Sequence, residues 1–449
     1  MRSWAAPDVP DLRRVHGNGI EPVITDSRTS SRQPVGAEQT ARLYICGITP
    51  YDATHMGHAA TYVMFDLLHR VLLDAGHDVV YCENVTDVDD PLLERADRDN
   101  VKWQALAVRE TDLFRADMAA LRVLPPNYFI GVAEYVGPIG AAVARLLSSG
   151  AAYGVPVTDG TATYASATDI YLDLTQQPGF GSTSGWSEEQ MTTVFADRGG
   201  DPEREGKRTP FDPLLWRAAR ALEPAWFVDG IGSGRPGWHI ECTSIALDHL
   251  GPRFDVQAGG VDLIFPHHEM SAVQADALYG SDSFARLYLH QAMVGLNGEK
   301  MSKSKGNLVF VSKLRYDLVD PMAIRLALLA HHYAAPWDWT DEVLAEAQAR
   351  LARWRAGVPS LAPAVQTALV ARLRERLADD LDSPGALAAI DSAIAEVQPE
   401  EASEAQAGMP VTVSDQALDT AADRTSSQVP GQTSNQAADA IDALLGVEL

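Results

Sequence analysis

Cysteine is scarce in this chain, and its scarcity limits the chemistry to be considered. The 449 residues include only Cys46, Cys82 and Cys242, which lie far apart in the sequence. A small secreted scaffold held together by disulfides would carry a dense, even-numbered set. We therefore expect reduced thiols, and the residue pattern alone favours buried structural cysteines.

Long apolar runs are missing as well. No stretch reaches the roughly 18 consecutive apolar residues that a membrane span requires, and the N-terminus has no apolar segment. With 46% hydrophobic residues, the chain can nevertheless bury a core divided over two or more domains. These features predict a globular, cytoplasmic protein without a membrane partner. Because no association helix is evident, we also predict a monomer.

Positive charge is in short supply. The chain has 36 basic and 61 acidic residues, a formal net charge of -25, and no run of five or more lysines or arginines. Binding to a phosphate backbone favours a basic face. The charge balance therefore argues against a nucleic-acid partner.

Lysine is rarer still, and its distribution is uneven. Only six lysines occur, and three of them are Lys300, Lys303 and Lys305. Elsewhere the chain uses mainly arginine for positive charge. The lysines at 300–305 instead provide compact, flexible ammonium groups, which suit phosphate oxygens. The alternative is a solvated surface loop with chance clustering.

Hydrophobic periodicity predicts a strand, a helix and a second strand between residues 42 and 86. Apolar runs at 43–46 and 79–82 flank a helical pattern at 63–75, and Gly76 is a natural C-terminal stop. This is the pattern of a parallel βαβ crossover. Because ligands bind at the carboxyl ends of strands in open α/β sheets, residues 46–58 should line a pocket.

The rest of the chain predicts a split nucleotide-binding domain followed by helices. Short strands are expected around Ala152, Thr163 and Ile170. Helices at 238–250 and 268–279, with a strand at 254–258, then resume the alternation. The predicted regions are an N-terminal extension at 1–40, a catalytic domain at 41–310 with an insertion at about 120–235, a helical region at 311–395, a low-complexity segment at 396–435 interpreted as a disordered region or loop, and a short C-terminal helix at 436–449.

The loop after the first strand reads Cys-Gly-Ile-Thr-Pro-Tyr-Asp-Ala-Thr-His-Met-Gly-His, from Cys46 to His58. Together with Lys-Met-Ser-Lys-Ser from Lys300, it resembles the paired signatures of class I aminoacyl-tRNA synthetases. The resemblance implies a Rossmann-like α/β catalytic domain with a parallel sheet, followed by a helical region. It also implies that the chain uses ATP, with Mg²⁺, to activate an amino acid.

Charge explains why such residues suit adenylation. Negative charge builds on the departing pyrophosphate when a carboxylate attacks the α-phosphorus. His55 and His58, at the start of a helix with its dipole and N–H groups, would stabilise phosphate oxygens. Lys300 and Lys303 would close on the pyrophosphate. Taken alone, the histidines favour a helix-capping or core role, and the lysine segment reverses that interpretation.

Two further blocks, Gly234–Cys242 and Gly259–Glu269, are similar to cysteinyl-tRNA synthetases. In that family the cysteine of the first block, the cysteine after Trp-His-Ile-Glu, the first histidine of His-His-Glu and a later glutamate bind zinc. The resemblance thus implies that Cys46, Cys242 and His267 are zinc ligands. Their sequence spacing matches no compact zinc motif. A metal with an open position would select the substrate thiol, which makes an editing site unnecessary.

The same resemblance assigns the substrate contacts. Asp262 suits a ribose hydroxyl, although a helix N-terminal or ion-pair role is the alternative, and Cys82 is interpreted as a core strand residue. The residues expected around cysteine and its adenylate are Cys46, Gly47, Ile48, Thr49, Thr61, Asn84, Val85, Thr86, Trp238, Gly260, Val261, Asp262 and Val294.

The chain departs from the synthetases at two places. They continue His-His-Glu-Asn-Glu, whereas this chain reads His-His-Glu-Met-Ser and ends on Ser271, a poor zinc ligand. The first block has Ile-Thr-Pro where they have Pro-Thr-Val. Both departures resemble the mycothiol-pathway ligases, which join cysteine to the amine of glucosaminyl-inositol (GlcN-Ins). That resemblance runs nearly end to end and includes the loop at 197–202, in which Asp197 replaces the family's usual glutamate.

We therefore hypothesise a ligase that forms cysteinyl-AMP and passes cysteine to GlcN-Ins, releasing AMP and pyrophosphate. Its predicted partners are the small molecules cysteine, ATP and GlcN-Ins. A cysteinyl-tRNA synthetase is disfavoured by Ser271, by the acidity, and by a C-terminal region too short to read an anticodon. A synthetase-derived binding protein without catalysis would be expected to have lost its histidines or lysines.

Overall fold

The computed structural model describes residues 1–164, 166–296, 298–301, 306–396 and 435–449, with only the backbone of Lys300. The helices are α1 (Arg13–His16), α2 (Met56–Ala75), α3 (Asp90–Arg98), α4 (Trp103–Ala120), α5 (Val132–Ser148), α6 (Glu188–Phe195), α7 (Trp238–Leu250), α8 (Glu269–Tyr279), α9 (Val311–Tyr316), α10 (Pro321–Leu329), α11 (Asp341–Gly357), α12 (Pro363–Ala378), α13 (Ser383–Ala395) and α14 (Gln436–Leu445). The strands are β1 (Val23–Asp26), β2 (Ser31–Pro34), β3 (Thr40–Ile48), β4 (Asp78–Val85), β5 (Tyr128–Gly131), β6 (Ala152–Pro156), β7 (Thr168–Leu172), β8 (Leu214–Ala218), β9 (Trp226–Val228), β10 (Gly232–Pro236), β11 (Arg253–Gly260), β12 (Phe284–Gln291), β13 (Val294–Leu296), β14 (Glu299–Lys300) and β15 (Trp337–Trp339). Within these ranges, no helix is both long enough and apolar enough to cross a bilayer.

The predicted βαβ unit is confirmed. Strands β3 and β4 pair in parallel, with Leu43 opposite Tyr81, and α2 connects them. The helix ends where the sequence predicts, because Gly76 adopts a left-handed conformation with φ of 106° and its N–H bonds to the carbonyls of Leu72 and Leu73.

The central sheet has five strands in the order β12-β11-β3-β4-β5, all parallel. Apolar side chains cover both faces. One layer includes Phe65 and Leu68 of α2, and the other includes Val143 of α5 and Ile245 of α7. The predicted α/β class with a parallel sheet is therefore confirmed.

A second, antiparallel sheet in the order β6-β7-β8-β10-β9 forms the insertion. The strands predicted around Ala152 and Ile170 are present. The strand predicted at Thr163 is wrong, because that residue lies in a bend beside a single isolated bridge between Ala162 and Arg220. The exact bounds of the domains stay predictions.

Strand β5 was not predicted from the sequence. Residues 101–149 read as helical stretches broken by prolines, yet β5 lies among them and forms the edge of the central sheet beside β4. At four residues, β5 is too short to show a period of two.

Helices α10 to α14 form the region after the central sheet, and the predicted C-terminal helix is confirmed as α14. The buried arginines Arg70 and Arg325 both pair with Asp66. They also donate to the last carbonyls of α14, at 2.9 Å to Asp442 and 2.6 Å to Leu445. These cations therefore satisfy the C-terminal end of a helix that returns to pack on α2. The segment predicted as low-complexity at 396–435 lies almost wholly outside the described residues.

Candidate functional site

A cavity of about 380 Å³ opens at the carboxyl ends of β3, β11 and β12, beside the start of α2. This is the position that the sheet rule predicts for a ligand. The residues expected to bind substrates that lie on its wall are Cys46, Gly47, Ile48, Thr49, His55, His58, Thr61, Trp238, Gly260, Asp262 and Val294.

Other residues line the same cavity, although no substrate contact was predicted for them individually. Tyr51 and Asp52 belong to the segment 46–58 that was expected to line a pocket, whereas Gln291 ends β12 and residues 292–293 directly follow it. The carboxyl-end rule, applied to β12 as well as to β3, would have found the latter. Ala53 and Gly57 belong to the same predicted segment, and the remaining wall residues outside it that were not predicted are Tyr62, Leu263, Met301 and Leu308.

Four predicted contacts, Asn84, Val85, Thr86 and Val261, are not among the cavity-lining residues. Asn84 is buried, and its Oδ1 accepts hydrogen bonds from the Tyr44 hydroxyl at 3.0 Å and from the Gly47 N–H at 2.9 Å. Its amide nitrogen donates to Thr86 at 3.0 Å. The end of β4 therefore braces the loop from behind instead of facing the cavity.

Position 47 requires glycine, because it lies directly against the backbone of Asn84 in β4. A Cβ atom there would lie 1.6 Å from the carbonyl oxygen of Asn84, a backbone atom that cannot easily move. The close approach of β3 to β4 thus depends on the absence of a side chain.

His55 caps α2. Its Nδ1 accepts hydrogen bonds from the N–H groups of Gly57 at 3.1 Å and His58 at 3.4 Å, while the N–H of Met56 bonds to Val309. These backbone donors already have partners within the chain, and the expectation that they bind phosphate stays a prediction. The capping alternative raised from the sequence is confirmed for His55.

The two histidine rings still face the cavity together. They stack with centroids 3.8 Å apart. Because Nδ1 of His55 accepts, its proton resides on Nε2, which makes that nitrogen a donor. Burial lowers the pKa of His58 to about 4, so this ring is neutral near pH 7.

The lysine segment is only partly described. The backbone of Lys300 lies in β14, which pairs with β13 opposite Gly295, and Met301 is buried on the cavity wall. The side chain of Lys300 and the whole of Lys303 lie outside the described residues.

The structure brings together Cys46, Cys242 and His267, which are distant in sequence. One ligand atom from each lies within 4.8 Å of the other two, and all three residues are buried. They come from β3, from α7 and from the turn before α8. Two thiols and an imidazole at this separation form a donor set that suits Zn²⁺. Cys82 lies apart from this set, in the core as predicted.

Ser271 does not add a fourth ligand. Its hydroxyl donates to the carbonyl oxygen of His267 at 2.9 Å, one helical turn back. The three donors found among the described residues would leave one position of a tetrahedral ion for a substrate or for water.

A second layer of histidines surrounds these donors and was not predicted. Nδ1 of His267 lies 3.0 Å from Nδ1 of His239. This contact leaves Nε2 of His267 as the ring nitrogen that could bind a metal. Nε2 of His268 lies 3.3 Å from the Cys46 sulfur, and its Nδ1 lies 2.7 Å from His290. Such contacts orient metal ligands and fix their tautomers.

Electrostatics also fit a cation at this place. Burial, followed by the neighbouring thiol of Cys46, raises the pKa of Cys242 well above its usual range. An ionised thiolate is therefore unfavourable here unless a positive charge compensates it. A divalent cation would supply that charge.

Comparison with known proteins places this geometry in a family. Residues 33–349 match the family described as "tRNA synthetases class I (C) catalytic domain". A Streptomyces griseus protein called "L-cysteine:1D-myo-inositol 2-amino-2-deoxy-alpha-D-glucopyranoside ligase" is 57% identical over 391 residues, covering 87% of this chain and 92% of that protein. A Geodermatophilus obscurus protein of the same name is 52% identical, covering 100% of this chain and 99% of its own length.

The fold has solved counterparts. The chain is similar to a Mycobacterium tuberculosis methionyl-tRNA synthetase in complex with methionyl-adenylate, with a TM-score of 0.56 and 16% sequence identity. The match covers 80% of this chain and 82% of that one. At this level of identity the likeness shows the fold alone.

Proposed function

This chain belongs to the family of L-cysteine:1D-myo-inositol 2-amino-2-deoxy-alpha-D-glucopyranoside ligases, and from that membership we propose the reaction that its cavity carries out. It is an ATP-dependent, AMP-forming carbon–nitrogen ligase. It activates L-cysteine as cysteinyl-AMP and transfers the cysteinyl group to the amine of GlcN-Ins. This is the step of mycothiol biosynthesis that joins cysteine to the amino sugar.

In the first step a carboxylate oxygen of cysteine attacks the α-phosphorus of ATP, and pyrophosphate leaves. The ring of His55 donates through Nε2 to a phosphate oxygen, and His58, neutral and stacked on it, provides a second polar edge. Lys300 and Lys303 bind the departing pyrophosphate. Their charge offsets the negative charge that grows on the leaving group.

Different residues around the cavity bind the two halves of the cysteinyl-adenylate. Gly260 and Asp262 at the end of β11, with Val294 beside them, bind the adenosine half of the adenylate. Thr49, Thr61 and Trp238 surround the cysteine half. Asn84 supports the cavity wall from behind Gly47, and Val85, Thr86 and Val261 lie close to the adenylate in this proposal. Magnesium accompanies ATP.

The single observation that carries the choice of cysteine is the buried donor set, of which Cys46 lies on the cavity wall. Cys46, Cys242 and His267 would hold one Zn²⁺ ion, which would supply an open coordination position for the thiolate of the substrate. Serine and alanine offer no such ligand. Selection of cysteine against these amino acids then needs no editing site.

In the second step the amine nitrogen of GlcN-Ins attacks the acyl carbon. The bond from that carbon to the AMP oxygen breaks, AMP leaves, and the amine loses a proton as the amide forms. We propose that the chain does this as a cytoplasmic monomer without a nucleic-acid partner.

Product formation with two acceptors tests this function. The zinc-loaded protein is given ATP and cysteine with either GlcN-Ins or cysteine tRNA, and AMP is measured. We expect turnover with the amino sugar and none with tRNA. Charging of tRNA without amide formation would overturn the proposal and favour a cysteinyl-tRNA synthetase, and no cysteine-dependent release of pyrophosphate would favour a binding protein.

A further inference from the structure

One turn of the catalytic domain is held from outside by the insertion. This turn, at 261–268, connects β11 to α8 and carries both Asp262 on the cavity wall and His267 of the metal-ligand set. Its position therefore governs two parts of the site at once.

Arg198 makes the most direct contact with this turn. Its Nη1 donates to the carbonyl oxygen of Asp262 at 2.9 Å and to that of Phe265 at 2.6 Å. The guanidinium also lies over the ring of Trp186, 5.5 Å from its centroid. A charged donor shared between two carbonyls fixes the path of the backbone more firmly than neutral hydrogen bonds would.

Aromatic packing from the insertion fixes the middle of the turn. Phe265 is fully buried, with ring centroids 5.9 Å from Trp186, 6.0 Å from Phe195 and 6.1 Å from Phe211. These three neighbours all come from the insertion. Phe265 lies two residues before His267, so the packing restricts how far this ligand can shift.

Glu269 closes the turn at its other end. Its buried carboxylate accepts hydrogen bonds from the N–H groups of Gly181 at 2.7 Å, Thr183 at 3.0 Å and Ser184 at 2.7 Å. The insertion thus contacts the turn at its start, its middle and its end.

The loop that carries Arg198 also approaches the cavity itself. Gly199 has a left-handed φ of 84°, and a Cβ atom there would lie 3.9 Å from the ring of Trp238, which lines the cavity. A Cβ atom on Gly200 would overlap the ring of Phe195 at 2.5 Å. The loop therefore depends on Gly199 for its left-handed conformation and on Gly200 for its close approach to Phe195.

We propose that Arg198 is a positioning residue for the cysteine-binding side of the site. By holding the carbonyls of Asp262 and Phe265, it sets the distance between Trp238 and His267, whose rings are 4.5 Å apart. The insertion is then part of the catalytic machinery. This inference rests on the proposed selection of cysteine by Cys46, Cys242 and His267.

The alternative is that Arg198 only stabilises the fold. A stabilising residue would lower the melting temperature when removed and leave the affinity for cysteine and metal unchanged. A positioning residue would change these affinities beyond any effect on stability.

The test compares Arg198→Ala and Arg198→Lys with Arg204→Ala. Arg204 lies in the same insertion, donates to the Pro156 carbonyl at 2.9 Å and pairs with Asp169, so its partners belong to the insertion and not to the turn. We would measure the KM for cysteine and kcat in ATP–pyrophosphate exchange, zinc retained after dialysis against a chelator, and the melting temperature. Removing such a supporting contact typically costs about 10- to 100-fold in metal affinity or activity.

We expect Arg198→Ala to raise the KM for cysteine about tenfold or more and to lose zinc. Arg198→Lys should restore part of the affinity for cysteine and part of the zinc content, because it keeps the positive charge. The recovery should be incomplete, because one ammonium cannot reproduce the shape of the guanidinium. Arg204→Ala should match the wild type. If the Arg198 variants match Arg204→Ala in KM and zinc content, the inference is wrong. If Arg198→Ala does not fold, Arg198→Lys decides on the same criteria. Absence of cysteine-dependent exchange in the wild type would instead refute the proposed function.

Discussion

His55 combines two roles that the sequence alone presents as alternatives. Its Nδ1 caps the first turn of α2, and its ring lines the cavity stacked on His58. Capping fixes the tautomer, and the tautomer places a donor on the opposite nitrogen. The capping bond therefore leaves the ring with the donor that the proposed reaction requires.

Substitution can separate these roles. Asparagine is a good N-cap residue, so His55→Asn should change the free energy of unfolding by only about 0.5 kcal/mol, whereas His55→Ala should cost about 1 kcal/mol. Both variants lose the ring donor, and we expect each to lower kcat for adenylation by about 10²-fold or more. Thermal unfolding and pyrophosphate exchange would check this. Near wild-type exchange in His55→Asn would mean that capping is the whole role of this residue.

Residue-level prediction succeeded where motifs carry the signal. Most of the loop at 46–58, together with Gly260 and Asp262, lines the cavity as expected. The second layer, made by His239, His268 and His290, was invisible because it arises from contacts between distant positions. The assignment of Asn84 to the adenylate rested on resemblance, and burial of this side chain behind Gly47 could not be read from the sequence.

At the scale of elements, β4 carries a buried carboxylic acid. Glu83 is fully buried within the central sheet, and the hydroxyl of Tyr81 donates to it. Burial raises the pKa of Glu83 from its usual 4.5 to about 8. The folded protein thus keeps a proton on Glu83 at a pH where the unfolded chain has released it.

This shift predicts a pH dependence of stability. Between pH 4.5 and about 8 the unfolded state ionises at Glu83 and the folded state does not, so the contribution of this group to stability falls as pH rises, by at most about 1.4 kcal/mol per pH unit. Glu83→Gln removes the titration and keeps the shape. Its melting temperature relative to the wild type should therefore increase from pH 5.5 to pH 7.5. A difference that stays constant with pH would contradict the prediction.

Long elements with clear end signals were predicted well, and short ones were not. Trp238–Leu250 matches the predicted helix at 238–250, since apolar periodicity over three turns is informative. The edge strand Tyr128–Gly131 was missed and a strand at Thr163 was wrongly expected. The secondary structure of such short segments depends on the elements that pack beside them more than on their local sequence pattern.

At the scale of the whole molecule, the metal-ligand set joins two parts of a divided domain. Cys46 precedes the insertion, and Cys242 and His267 follow it. A metal bound to all three would connect β3 with α7 and with the turn that Arg198 holds. The unfolded chain would not bring these donors together, so binding would favour the folded state.

Metal removal should therefore destabilise the whole protein. A ligand present at 1,000 times its Kd stabilises the folded state by about 4 kcal/mol, and we expect a chelator to lower the melting temperature by about 5 °C. Cys242→Ser should already have the lower melting temperature before the chelator is added. It should contain less zinc than the wild type, and the chelator should change its melting temperature little. Cys82→Ala is the matched control, because Cys82 is equally buried but lies outside the donor set. It should keep its zinc and its response to the chelator even if the lost packing lowers its stability. Equal responses of the two variants would show that stabilisation by metal comes from elsewhere in the chain.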